Sequence, residues 1–296
     1  MFKRVVLFVL TNLAVLLLLS VVWFVIRTTG IVEDVDWTYL PLAIFSVIFG
    51  FAGSVISLLI SKWVAKRATG AQVITHPRNE TEAWLLATVQ RQAAQAGIGM
   101  PEVAIYDSAE LNAFATGPSR NNSLVAVSSG LLRSMRREEV EAVLAHEVSH
   151  AANGDMVTLT LIQGVVNTFV IFFSRVVGNV VDGVLSRGND RRGRGMGYFL
   201  SVFVAEIVLG VLATVIVMAF SRWREYRADA GAANMVGAPN MIAALQRLGA
   251  QSDESSLPES VAAFGIKGGR SGFLNLFRTH PPIAERIAAL QSRGRR

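Results

Sequence analysis

Four stretches of the 296-residue chain are dominated by apolar residues, at 5–26, 39–60, 157–181 and 198–220. The first carries no charge over 22 residues, a helix of about 33 Å at 1.5 Å per residue, enough for a hydrocarbon core of roughly 30 Å. It lacks a small-residue cleavage site, so it reads as a retained anchor rather than a signal peptide. Lys3 and Arg4 precede it, and Lys62, Lys66 and Arg67 follow the second run. The short stretch between the two runs holds Glu33, Asp34 and Asp36 and no basic residue. By the positive-inside rule, both basic ends lie in the cytoplasm. The third and fourth runs are less clean. Gln163, Asn167 and Arg175 interrupt one, Glu206 interrupts the other, and Arg187, Arg191, Arg192 and Arg194 lie between them. A hairpin through the bilayer would put those four arginines on the outer side, against the rule. A full crossing is the preferred reading, and a pair that only dips into the membrane is the alternative. Either returns the chain to the side it left.

The remaining sequence is polar enough to fold in water. Residues 79–95 have the spacing of an amphipathic helix, and 101–106, 112–114 and 124–127 read as short strands. Residues 136–153 read as a helix with Glu138 and Glu139 in its first turn and Asn153-Gly154 at its end. Val140, Val143, Leu144 and Val148 would bury one face of it. Further helices are expected at 221–236, 240–251 and 283–291, with a Ser- and Gly-rich connection at 252–275. The expected class is mostly α with a small β-sheet, built into a multi-span α-helical membrane protein. Its parts are a two-span anchor (1–67), a first polar portion (68–156), a membrane hairpin (157–220) and a second polar portion (221–296).

Composition sharpens this picture. Hydrophobic residues make up 52% and charged ones 17%, with a mean hydropathy of +0.43, too apolar for an ordinary soluble domain of this length. The formal charge of +6 and the pI of about 10.1 could suggest nucleic acid. The basic residues flank apolar runs, however, and no aromatic-basic stripe accompanies them, so the lipid bilayer is the expected partner and nucleic acid is not. Cysteine is absent, which excludes a disulfide framework and restricts any zinc site to His and carboxylates.

One candidate site stands out. His146, Glu147 and His150 fit the pattern H-E-x-x-H on the helix predicted at 136–153. Two His four residues apart stand one turn above each other and can meet one zinc ion, while the intervening Glu reaches a water there. A catalytic zinc takes three protein ligands. The other histidines are His76, read as an ordinary loop residue, and His280, which precedes Pro281. A carboxylate on a later helix is the better third ligand. Glu225 would ligate zinc and Asp229, one turn on, would accept the free ring N–H of a ligand His.

At these residues the chain resembles the HtpX-type membrane zinc endopeptidases, relatives of the CAAX prenyl endopeptidases. The likeness spans nearly the whole chain. It rests on Met100 to Ala104, Asn112 to Gly117, the His146 to His150 core continued through Asn153-Gly154-Asp155, the Glu225 to Asp229 segment, and Thr279-His280-Pro281-Pro282. No zinc or base position departs from the pattern. The resemblance implies a zincin, gluzincin-like protease domain holding one Zn2+ per chain through His146, His150 and Glu225, with Glu147 as general base. It further implies cleavage of misfolded or membrane proteins in quality control at the bacterial inner membrane, with the active site on the cytoplasmic side. Asn112 and His280 are implied at the substrate cleft, with His280 the candidate donor to the developing oxyanion. Two other readings remain: a catalytically silent scaffold or chaperone of the same fold, against which the intact Glu147 argues, and a metal-dependent transporter, against which the lack of any internal repeat argues.

Overall fold

The computed structural model describes residues 39–185, 195–254 and 280–293. The first apolar run, the acidic stretch after it, the loop arginines and most of the Ser- and Gly-rich connection lie outside the described residues.

Among the described residues, three helices are long and apolar enough to cross a membrane: α1 (Tyr39–Thr69), α5 (Asp155–Leu185) and α6 (Met196–Val236). Large apolar side chains such as Ile44, Ile48 and Phe49 on α1, and Phe199, Phe203 and Ile207 on α6, are exposed, as lipid-facing positions are. The chain divides into two units, and residues 39–57, 159–185 and 195–217 are the described part of the first. Within it, the polar residues that interrupt the apolar runs find partners. Gln163 Nε2 donates to Asn167 Oδ1 at 2.8 Å, and Asn167 Nδ2 lies 3.4 Å from Ser54 Oγ. Arg175 meets Glu206 at 3.1 Å and sits over the Phe45 ring. Charges deep in an apolar run persist because they are paired.

The second unit comprises 58–158 and the described residues after 218. Its sheet contains β1 (Gln72–Val73), β2 (Glu102–Tyr106), β3 (Ala113–Ser119) and β4 (Asn122–Ser128) in the order β1-β2-β4-β3. β2 and β4 run parallel, while the β1–β2 and β3–β4 pairs are antiparallel. The strand expected at 112–114 overlaps only the start of the longer β3, and the one expected at 124–127 is the middle of β4. β4 is buried along nearly its whole length, so it reads as a continuous apolar run rather than an alternating one.

Helix α2 (Glu80–Gln95) begins at Asn79, whose side chain accepts the Glu82 N–H, a standard way of satisfying a free donor at a helix start. The short α3 (Ser129–Ser134) leads into α4 (Arg137–Asn153), and α7 (Ala238–Glu254) and α8 (Ile283–Arg293) complete the unit. α4 packs against α2, β3, β4 and α7. Its sequence suggests one buried face, yet Ala142, Ala145, His146, Ser149, His150 and Ala151 are buried as well. Small side chains let neighbours close over the other sides, so α4 is the core helix of the unit. Leu85, Val89, Val103, Val125, Leu144, Met241 and Leu245 complete that core.

The helix expected to begin at 221 has no start of its own. It is the continuation of α6, which runs 41 residues without a break and stops at Gly237, where φ is +88°.

Candidate metal centre

α4 ends at Gly154, which adopts the left-handed conformation (φ +70°) and donates its N–H to the carbonyls of the last turn. A left-handed residue there favours Gly, and it turns the chain so that the next residue, Asp155, opens α5 pointing back at α4. Asp155 is buried, and His150 Nδ1 donates to its Oδ2 at 2.6 Å. A protonated Nδ1 leaves Nε2 of His150 as a lone pair facing inward.

On α4, His146 lies one turn before His150, the two rings edge to face with their Nε2 atoms 3.1 Å apart. Glu225, wholly buried on α6, brings Oε1 within 3.2 Å of His150 Nε2 and Oε2 within 3.5 Å of His146 Nε2. α6 comes this close because residue 231 is glycine. A Cβ there would lie 2.5 Å from Ser149 Oγ, itself tied to the Ala145 carbonyl at 2.7 Å. One turn beyond Glu225, Asp229 Oδ1 sits 2.9 Å from His146 Nδ1. That N–H is not well aligned on the carboxylate, so the contact is a close electrostatic one rather than a full hydrogen bond.

Three acceptors, His146 Nε2, His150 Nε2 and the Glu225 carboxylate, thus face one another, an arrangement that favours positive charge at their centre. Both imidazoles are shifted in that sense. Burial disfavours charge on His150, but its hydrogen bonds to Asp155 and Glu225 outweigh burial and raise the imidazole to about 9. His146 is likewise raised, burial being overcome by Asp229 and Glu225. A metal cation is the other way to supply the charge, and the spacing suits one. Ligand atoms at about 2.0–2.2 Å from a tetrahedral ion lie about 3.3–3.6 Å from each other, against the 3.1, 3.2 and 3.5 Å found here.

Glu147 is half-buried on the same helix and makes no hydrogen bond or ion pair among the described residues. His280 places Nδ1 2.8 Å from Glu225 Oε2 while its side chain stays 59% exposed. Asn112 is exposed immediately before β3, its carbonyl accepting the Ser128 N–H at 2.9 Å, and β3 packs beside α4. His76 is exposed, away from this group.

Two members of the cluster were assigned no role from the sequence. Asp155 is one, and Arg286 on α8 is the other. Arg286 is only 7% exposed. Its guanidinium makes a fork to Asp229, Nε to Oδ2 at 2.7 Å and the second nitrogen to Oδ1 at 2.5 Å, and approaches Glu225 Oε2 at 3.4 Å. The available signal was a charged residue on the buried stripe of α8, between Ile283 and Leu290.

Comparison with known proteins agrees with the site. The chain is 57% identical to the "Protease HtpX homolog" of Nitrosomonas europaea over 99% of its own length and all of that protein's. It is 58% identical to "Protease HtpX" of Xanthomonas campestris pv. campestris, covering 99% and 98% of the two chains. The crystal structure of S. mikatae Ste24p shares the fold, with a TM-score of 0.62 at 18% identity over 98% of this chain and 67% of that one. Residues 79–294 match the model of peptidase family M48, and they contain the His146, His150 and Glu225 group that could hold a metal ion. The chain is a multi-pass membrane metallopeptidase and belongs to peptidase family M48.

Proposed function

We propose that the protein is a zinc endopeptidase of the bacterial inner membrane that cleaves misfolded or damaged membrane proteins on the cytoplasmic side. The observation that carries this reading is the set of three converging acceptors, with Glu147 beside His146 and without a partner among the described residues. His146, His150 and Glu225 are the ligands of one ion. An N, N, O donor set without thiolate and with a tetrahedral spacing favours zinc over magnesium or calcium, which prefer oxygen ligands and higher coordination. Bound there, zinc would bring the pKa of a coordinated water toward neutrality and polarise the scissile carbonyl.

The chain's own residues do the rest. Glu147 takes a proton from the attacking water and returns it to the leaving amine. Asp155 and Asp229 orient the two imidazoles, and Arg286 holds Asp229. β3, at the end of the sheet beside α4, is available to pair with an extended substrate backbone, with Asn112 at its start. His280 bonds the ligand carboxylate through Nδ1, and its other nitrogen serves as donor to the oxyanion. Residues 1–67 and 157–220 form the membrane portion, and 68–156 with 221–296 the protease.

Casein digestion by the purified full-length protein tests this. Cleavage is expected with zinc, should stop with a chelator, and should be absent in Glu147→Gln at full metal content. An active Glu147→Gln protein would refute the assignment of the base.

A further inference from the structure

The apolar run of α6 ends at Phe220, and Trp223 follows three residues later, about 4.5 Å further along the axis. It is 52% exposed. Tryptophan at that level of a membrane helix marks the headgroup region. One turn on, the Arg227 guanidinium lies 4.7 Å from the Trp223 ring centroid, a cation–π arrangement that fixes its direction. On α8, Arg286, Leu290 and Arg293 fall at helical spacing on one stripe, and that stripe faces Trp223, Tyr226 and Arg227 across a cavity of about 230 Å³.

The charges around this cavity do not cancel. Arg286 is matched by Asp229. Among the described residues neither Arg227 nor Arg293 has a carboxylate partner, and the nearest polar contact of Arg227 is the neutral Asn153 side chain at 3.4 Å. Glu285 is taken by the Tyr226 hydroxyl at 3.1 Å. Two guanidinium groups thus flank a small pocket whose walls include an indole and a leucine. Guanidinium forks suit the oxygens of a phosphate, and the volume falls below the roughly 300–1,000 Å³ of pockets for drug-sized ligands.

We propose that this pocket holds the phosphodiester headgroup of an anionic phospholipid. The arginines bind the phosphate oxygens, Trp223 packs against the glycerol, and the acyl chains follow the apolar surface of α6, where the Phe220 ring lies 5.6 Å from Trp223. The floor of the pocket is Arg286 and Asp229, the pair that also borders the metal ligands.

The test uses the full-length protein in a neutral detergent, titrated with dihexanoyl phosphatidylglycerol, dihexanoyl phosphatidylcholine and inorganic phosphate, with binding followed by native mass spectrometry and calorimetry. Phosphatidylglycerol should bind more tightly than phosphatidylcholine. Arg227→Gln and Arg293→Gln should each weaken it about fivefold, and together about 25-fold, as expected for about one charge–headgroup contact each. Metal content and unfolding temperature should stay at wild-type values. Arg293 is exposed at the end of α8, so its variant reports on the site even if Arg227→Gln folds poorly. Equal binding of the two lipids, or wild-type affinity in Arg293→Gln and the double variant, overturns the proposal. Inorganic phosphate displacing the lipid at equal concentration would make this a free-anion site and overturn the lipid assignment.

Discussion

Arg286→Met removes a charge while keeping most of the aliphatic stem, so its effect isolates the electrostatics of the cluster around the metal ligands. In the protein, Asp229 is 2% exposed and receives both arms of the Arg286 fork, and Glu225 has the same guanidinium 3.4 Å away. An exposed ion pair of similar geometry would contribute only about 0–1 kcal/mol. Here the partner left behind is a carboxylate shut off from water, and breaking a buried pair costs about 3–5 kcal/mol. At about 2–4 °C per kcal/mol for a domain of this size, the unfolding temperature should fall by about 6–20 °C. Thermal unfolding in detergent, followed by far-ultraviolet circular dichroism, measures it. Arg286→Met combined with Asp229→Leu removes both charges, and its loss should be smaller than the sum of the single losses. A melting temperature within 1–2 °C of wild type, or strictly additive losses, would refute the idea that Arg286 neutralises a buried carboxylate.

Glu225→Gln should lower bound zinc sharply by metal analysis, whereas Glu147→Gln should keep its zinc; full zinc in Glu225→Ala would remove it as the third ligand. Asp155→Asn and Asp229→Asn should each weaken zinc binding by about 10–100-fold in a chelator competition without unfolding the protein, and unchanged affinity would deny them the role of orienting the histidines. In chelated protein, the raised His150 contributes stability that is complete below its unfolded value near 6.5 and is lost as pH rises through about 9. The unfolding temperature of that form should therefore fall between those limits, and a flat profile would contradict the hydrogen bonds that raise it. Arg175→Ala and Glu206→Ala should each destabilise the protein, and the double variant should cost less than their sum, given the 3.1 Å contact; additive losses would mean the two charges do not interact.

Much of the centre is legible in the sequence because it obeys a local period. His146 and His150, and again Glu225 and Asp229, are spaced by one helical turn, and a turn is visible without knowing the fold. Asp155 follows His150 by five residues but across the left-handed Gly154, where helical spacing no longer applies. Arg286 lies 57 residues after Asp229, and only folding brings them together. The same limit explains the sheet. β4 declares itself by an apolar run, but β1 has only two residues, Gln72 and Val73, too few for a pattern, and exists because Ala104 and Ile105 pair with it. The end of the fourth apolar run looks like a helix boundary because Arg222, Arg224 and Glu225 change the polarity there. Polarity does not break a helix; no proline or left-handed residue intervenes before Gly237, so α6 continues.

The order in which the ligands occur along the chain has a consequence for biogenesis. His146 and His150 leave the ribosome first, Glu225 follows 75 residues after His150, and Arg286 later still. At about 5–20 residues per second, a nascent chain carries two imidazoles without their carboxylate for about 4–15 s. In that interval both α5 and the apolar part of α6 are made. On the ligand set proposed above, a chain stalled or truncated before Glu225 would lack the third ligand, and Asp229 and Arg286 with it. On that ligand set, proteolytic competence would be withheld until α5 and the apolar part of α6 have been synthesised, a form of timing set by the order of the sequence alone.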